Sequence, residues 1–332
     1  TITLSPGNIT RTVTAAEIAA GEAIVTGLTG ETLYTAKLLN GTKVRGTITF
    51  TTLLDLGGAI AVYPTDNLAT LIANANAGDV FALFPGTYTI NADITVAKSI
   101  SLKGARPTDK PKIVGAAFKI RGAAGLSLKD LVLDGTGSIA AQTIVYDEAL
   151  PTSTYGALSV KDSEIKNYTK GILYINVIAL VESMTYSGNV IHDLSCTGAG
   201  FVDFRTGLAK TFLFENNTVY NITEDGSRDL FRMDAATTFA STTSVITIRT
   251  NTFYNAMNRA AGRYLYVRIP INQITFTKNI IAESLNYYTN QAATTLTSVS
   301  GNNYYFAAPA TGNFTISENT LKTNGVGDPR WR

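Results

Sequence analysis

The chain has 332 residues, of which 45% are hydrophobic and 16% charged, and its net charge is +2. That is enough apolar material for one large core with an appendage. The near-neutral charge gives no electrostatic reason to expect nucleic acid, and no apolar run reaches the roughly 18 residues of a membrane-spanning helix. Cys196 is the single cysteine, which excludes an intrachain disulfide and a thiolate metal centre. It reads as a small buried hydrophobe. Asn, Thr, Ser and Gly fill the polar positions where a helical protein would carry Glu and Lys.

Residues 1–52 differ from the rest of the chain. A strand, a turn and a returning strand are expected there. Leu28, Tyr34, Ala36 and Leu38 mark one apolar face, Asn40-Gly41 is a hairpin turn pair, and Ile48 and Phe50 alternate on the return. The segment resembles the second half of a fibronectin type III module, with Tyr34 at the tyrosine-corner position after the "GLTGETLY" turn. That resemblance implies a spacer without chemistry of its own.

Leu68, Leu71, Ile72 and Ala75 fall at helical spacing, which predicts a short amphipathic helix over 67–76, ended by Gly78. A strand from Val80 and a "PGTY" turn come next. A helix leading straight into the first coil suits the task of covering an open apolar end. This helix, Gly-Asp, strand, Pro-Gly-Thr-Tyr passage resembles the opening segment of secreted pectate-lyase-like and chondroitinase-B-like β-helix proteins.

The C-terminal two-thirds carries a loose repeat. "SGNVIHDL", "ENNTVYNI", "RTNTFYNA", "TKNIIAES" and "SGNNYYFA" align on Asn189, Asn217, Asn251, Asn279 and Asn303, at steps of 28, 34, 28 and 24 residues. Such a period signals stacked repeats, and the period-2 alternation before each asparagine makes the repeated element a strand. Weaker copies precede them, with polar ends at Asp134 and Asn167 that continue as Asp193, Asn221, Asn255 and Glu283. The expected fold is all-β: a right-handed, single-stranded parallel β-helix over about 64–325, within a domain of 53–332. A capping helix opens it, and a small fibronectin-like β segment precedes it. The aligned asparagines read as a structural ladder at an αL bend. Trp331, the only tryptophan, is expected to seal the C-terminal end.

A second alignment uses "GILYIN", "GFVDFR", "LFRMDA" and "YLYVRI". Setting Leu173/Ile175, Val202/Phe204, Phe231/Met233 and Leu265/Val267 inward turns two columns outward. One reads Tyr174, Asp203, Arg232, Tyr266; the other reads Asn176, Arg205, Asp234, Arg268. Arginine offers planar paired donors for carboxylate or sulfate. Tyrosine offers a flat apolar face for a sugar ring, and an elongated strip suits a polymer. Alternating charges, Asp203–Arg232 and Arg205–Asp234, would equally arise from rung stacking alone. These eight residues are the candidate ligand-binding set.

No catalytic residue is assigned. Asp203 and Asp234 would lie about 8 Å apart between backbones, a spacing that inverting glycosidases tolerate. The paired Asp-Asp and Gly-His-Gly motifs of polygalacturonase-type β-helices are absent. The chondroitinase-B-like enzymes use a Lys and an Arg with a calcium held by Asn and Glu, and no matching cluster is found. His192, the sole histidine, aligns with Lys166, Tyr220 and Tyr254. It reads as structural, with Asp193 expected to point to the opposite face. No cofactor and no folding-essential metal is expected, although oxygen ligands from distant coils would suffice for a weak calcium site.

Two readings lead: a non-catalytic polysaccharide-binding protein, and a polysaccharide lyase or glycosidase with a diverged site. A surface scaffold or adhesin is the third. The "GDPRWR" ending with the fibronectin-like start resembles surface polysaccharide-utilisation lipoproteins of gut-type bacteria. That resemblance implies an extracellular or outer-surface location, a lipid anchor through a region preceding residue 1, and a glycan partner. A monomer is expected.

Overall fold

The computed structural model describes residues 1–196, 198–222, 229–234, 237–257, 259, 262–284, 304–306 and 323–331. The chain divides into two compact units, Thr1–Gly58 and Ala59–Arg332.

The first unit is a four-stranded antiparallel sheet in which Leu33–Asn40 lies between Ile2–Ser5 and Lys43–Thr51. Asn40 pairs with Lys43, so Gly41 and Thr42 form the hairpin loop, and Gly41 takes φ 58°. Tyr34 is buried, and its hydroxyl accepts the Thr29 N–H (3.0 Å), a bond back to the backbone five residues upstream. The expected apolar face is only partly covered, because Leu38 and Ile48 are 48% and 63% exposed. A short helix, α1 (Ala15–Ala20), was not expected. Thr14 and Glu17 form its capping box, and Gly21 ends it in the αL conformation. The "TAAE" sequence carries that signature.

The second unit opens on a strand, Ile60–Val62, followed by α2 (Leu68–Ala73). The Asn67 side chain caps α2 by accepting the Thr70 N–H. Leu68 and Ile72 are buried in the core of the coils. The helix is shorter than the expected 67–76, with Asn74 rather than Gly78 at its C-cap. At Gly86 (φ 135°) an added Cβ would come within 2.5 Å of Pro64 Cγ, which accounts for a glycine in the "PGTY" turn.

The rest is a parallel β-helix of about seven turns. Each complete turn sends one strand to a ten-stranded sheet and then two to a fourteen-stranded sheet. The long strand Lys112–Ile120 joins two wings of that larger sheet. Its first half pairs with Val132–Asp134 and its second with Gln142–Tyr146. The first wing continues through Glu164–Lys166, Val190–Leu194, Thr218–Ile222 and Thr252–Tyr254. The second continues through Gly171–Ile175, Val202–Phe204, Asp229–Met233 and Arg263–Val267. Period-2 alternation sends one set of residues from each strand into a single buried cluster. Phe212, Phe214, Phe231 and Phe253 cluster inside it, largely edge to face, with Phe214 and Phe231 ring centroids 5.2 Å apart.

Asn189, Asn217, Asn251 and Asn279 are fully buried where the chain leaves the ten-stranded sheet for the first wing. Each donates its Nδ2 to a carbonyl of the preceding coil, and Asn189, Asn217 and Asn251 also donate to the Oδ1 of the next asparagine. The αL residue is not the ladder asparagine but the one before it: Gly188, Asn216, Thr250 and Lys278 have positive φ. The ladder side chain must point inward from extended backbone, so the bend falls one position earlier. Asn303 lies outside the described residues. A second, outer amide series occupies the turn between the two wings. Asn167, Asn221 and Asn255 donate to Asp134, Asp193 and Asn221.

Trp331 does not seal the end. It is 64% exposed and lies beside Thr218 on the outside of the first wing, where its Nε1 donates to the Thr218 hydroxyl. Buried Asp328 holds this segment by accepting from Thr218 Oγ1 (2.7 Å), and Arg330 donates to the Asn189 carbonyl (2.7 Å). Cys196 is buried. Inside the coils the Tyr168 hydroxyl donates to the Ala116 carbonyl (2.7 Å). Tyr168→Phe is expected to cost about 1 kcal/mol, one buried hydrogen bond, in denaturant melts.

Candidate functional site

The second wing places the expected columns in register. Tyr174 pairs with Asp203, Asp203 with Arg232, and Arg232 with Tyr266. Leu173, Ile175, Val202, Phe204, Phe231, Met233, Leu265 and Val267 all face the core. The other column continues each strand. Arg205, Asp234 and Arg268 each donate a backbone N–H to the carbonyl of the preceding rung, from Ile175, Phe204 and Met233. All eight candidate residues therefore share one outer face.

Their ion pairing differs from simple alternation up the column. Asp203 is fully buried and accepts from Arg205 Nε (3.2 and 3.1 Å) two residues along its own strand, and from the Gly200 N–H (3.3 Å). Arg232 donates to Asp234 (2.7 Å), again within one strand, while its buried Nε lies 3.9 Å from Asp203 without a hydrogen-bond partner. Arg268 closes the series by reaching back to Asp234 (3.1 Å). Burial pushes the Asp203 carboxyl above its ordinary range, against the pull of Arg205. Asp203 thus serves as a counter-ion beneath the arginines rather than as an open acceptor. It is also withdrawn from general-base work with Asp234. Exposed Asn176 accepts from Thr206 (3.3 Å).

The aromatic members sit under guanidinium groups. Arg205 lies over Tyr174 (5.8 Å to the centroid), and Arg263 and Arg232 lie over Tyr266 (4.1 and 5.5 Å). Arg268 also reaches the Tyr266 hydroxyl (3.4 Å). Arg263 was not among the expected residues. It pairs with buried Asp229 (2.6 Å).

The strip also extends two rungs further than expected. Lys119 and Val145 precede Tyr174 in its column, and Arg121 and Asp147 precede Asn176 in the other. Arg121 grips Asp147 with both ends of its fork (2.8 and 2.7 Å), and Lys119 bridges Asp93 (2.8 Å) and Asp147 (3.6 Å). The Arg121 fork holds the Asp147 carboxyl below its ordinary range. The signal was present, since "FKIRG" and "IVYDE" repeat the inward and outward order of "LYIN". Six rungs at strand spacing make a strip about 24 Å long.

The charges are layered. Side-chain exposure is 44% for Arg121, 34% for Arg205, 28% for Arg232 and 46% for Arg268. Their partners Asp147, Asp203 and Asp234 show 24%, 0% and 16%. Carboxylates lie beneath and guanidinium edges lie on top.

His192 stands on the first wing, away from this strip. It is buried and stacked on Tyr220 (4.6 Å, 2° between planes). Asp193 does not point away. Its φ of 54° turns the carboxylate back to His192 Nδ1 (2.7 Å), while Nε2 meets Glu164 (3.1 Å). The hydrogen bond from His192 lowers Asp193. Burial opposes the same change at Glu164, but bonds from Lys166 and His192 still hold it low. A carboxylate depressed in the folded state adds stability above its unfolded pKa and loses it as pH falls through the folded value. Melting temperature is therefore expected to fall on acidification below the ordinary carboxylate values. Asp203, raised by burial, works in the opposite direction. In His192→Phe, which keeps the ring on Tyr220, this acid limb should be shallower in thermal melts across pH. An unchanged limb would show that the histidine has no part in it.

Among the described residues no group of three or more His, Cys, Asp and Glu side chains is placed to hold a metal ion. No described helix is long and apolar enough to cross a membrane.

Residues 86–222 match the family model of a domain of unknown function (DUF4957). No curated protein sequence matches the chain. Among solved structures, the PL6 family alginate lyase AlyGC is similar, at a TM-score of 0.52 and 16% identity over 74% of this chain. An arginine-to-alanine mutant of the same enzyme gives a TM-score of 0.52 at 17% identity. The match spans 39% of the length of those enzymes. At that identity the likeness is one of fold: a β-helix of the kind on which a polysaccharide lyase is built.

Proposed function

We propose that the outer strip of the second wing binds an extended acidic polysaccharide. The layering of charge carries this reading. Arg121, Arg205 and Arg268 keep 44, 34 and 46% of their side chains exposed above less exposed carboxylates. Arg121, Arg205, Arg232 and Arg268 keep guanidinium edges for carboxylate or sulfate groups, while Tyr174 and Tyr266 lie beneath guanidinium groups and help to hold them in place. Asp203 and Asp234 hold the guanidinium groups in place. Retardation of the protein in gels containing polyuronate, against a neutral glycan, tests the reading. Equal mobility in both gels would contradict it.

One observation favours catalysis as a second reading. Tyr266 is surrounded by Arg232, Arg263 and Arg268. A lyase must remove a proton next to a carboxylate and stabilise the enolate with cations. A tyrosine oxygen beside guanidinium groups supplies both elements, and the similar solved structures are alginate lyases. Unsaturated product, followed by its ultraviolet absorbance and lost in Tyr266→Phe, would establish this activity.

In either case the protein works outside the cell or on its outer surface, where such polymers occur, with the first unit as a fibronectin-like spacer. The bond from Thr29 to the Tyr34 hydroxyl supports that view of the first unit.

A further inference from the structure

We propose that the outer face of the ten-stranded sheet is a second binding track, for a linear polyanionic glycan, separate from the strip on the second wing. Three successive strands read "ISLK", "LSLK" and "LSVK". They stack in direct register, Ser101 on Ser127 on Ser159 and Lys103 on Lys129 on Lys161. The intervening Leu102, Leu128 and Val160 are buried, so the serines and lysines face outward.

Like charges on neighbouring strands are unfavourable. The fold does not demand them, because the same column continues as Ser187, Glu215, Arg249 and Thr277. There, Glu215 and Arg249 form an opposite-charge pair at 2.8 Å, which is what stacking alone would favour. Lys129 meets Asp130 (2.6 Å) and Asp162 (3.8 Å). Lys110 adds a further ammonium at the same edge by donating to the Asp162 carbonyl (2.6 Å). The Lys129 side chain, 48% exposed, lies above an Asp130 side chain at 8% and beside an Asp162 side chain at 52%.

The chemistry of the occupant follows from the spacing. Rungs about 4.8 Å apart set one ammonium per step, close to the advance of successive sugar rings in an extended chain. A polymer with one carboxylate or sulfate per sugar would meet each lysine in turn, with the serine hydroxyls alongside its own hydroxyls. Single-stranded nucleic acid would need aromatic platforms for its bases, and the track offers serine in their place. The track draws on none of the strip residues.

The test uses the full chain and the triple variant Lys103→Ser, Lys129→Ser, Lys161→Ser. Lys129→Gln serves as a milder second variant and Arg268→Ala as the strip control. Affinity electrophoresis would be run in polygalacturonate, in neutral galactan and with single-stranded DNA. The triple variant is expected to lose roughly tenfold in polygalacturonate affinity, as several charge-assisted contacts go. Its salt dependence should weaken, its behaviour in galactan should not change, and its melting temperature should hold. Lys129→Gln should show a smaller loss of the same kind. Unchanged affinity and salt dependence in both lysine variants would overturn the track. If Arg268→Ala alone then lost binding, the strip would stand without it. Loss in the lysine variants with Arg268→Ala unaffected would keep the track and remove the strip. DNA held as tightly as polygalacturonate would assign the face to nucleic acid and overturn the glycan.

Discussion

Replacing Asn217 by alanine is expected to destabilise the β-helix by about 3–5 kcal/mol, from several buried polar groups left unpaired. Asn217 is fully buried. Its Nδ2 donates to the Tyr186 carbonyl (2.9 Å) and to Asn251 Oδ1 (3.1 Å). Its Oδ1 accepts both the backbone N–H and the Nδ2 of Asn189 (2.9 Å each). Alanine keeps the backbone bond to Asn251 (3.0 Å) but strands the Tyr186 carbonyl and two donors of Asn189. Asn221→Gly is the control: that residue is exposed with φ 53°, a conformation glycine accepts freely. Urea melts should show a large loss for the first variant and a small change for the second. Equal effects would mean that the buried ladder contributes no more than the surface one.

Arg232→Ala is expected to weaken glycan binding by roughly 1–3 kcal/mol, the range for a charge-assisted hydrogen bond. Here the structure alters what the sequence suggested. As an exposed ladder member, Arg232 should be removable with little change in melting temperature. The side chain is only 28% exposed, bonds Asp234, and lies near buried Asp203. Its loss leaves Asp203 with Arg205 and the Gly200 N–H, and removing one partner of a buried charge is costly. Both binding and stability should therefore fall, which makes Arg232 a mixed test of function. Arg268 separates the two effects. It is 46% exposed, and its bonds to Asp234 and Tyr266 lie at the surface. Such a pair contributes little to stability.

The sequence made the parallel β-helix and the outward columns legible because both rest on strict periodicity. Inward pairs such as Val202/Phe204 and Phe231/Met233 leave one register that buries them all. The repeat of asparagines marked the ladder for the same reason. Details that depend on φ angles and side-chain reach were not legible. Alternation alone placed Asp193 opposite His192, but an αL backbone at Asp193 brings the two together. Alternation paired Arg205 with Asp234, but arginine is long enough to fold back onto Asp203 in its own strand. The burial of Asp203 beneath two guanidinium groups could not be read from a column of letters. Lys119, Arg121 and Asp147 obey the same pattern, on the two rungs that precede the four aligned strands. The segment 327–331 defied expectation because its anchors, Thr218 and Asn189, lie more than a hundred positions earlier.

The most direct measurement compares polyuronate affinity and melting temperature on a single Arg268→Ala protein. The expected result is a fall in affinity of roughly 1–3 kcal/mol for the acidic glycan, with a melting temperature close to that of the parent. Unchanged affinity together with clear destabilisation would show that the arginine strip is scaffolding and that the glycan, if one is bound, lies elsewhere.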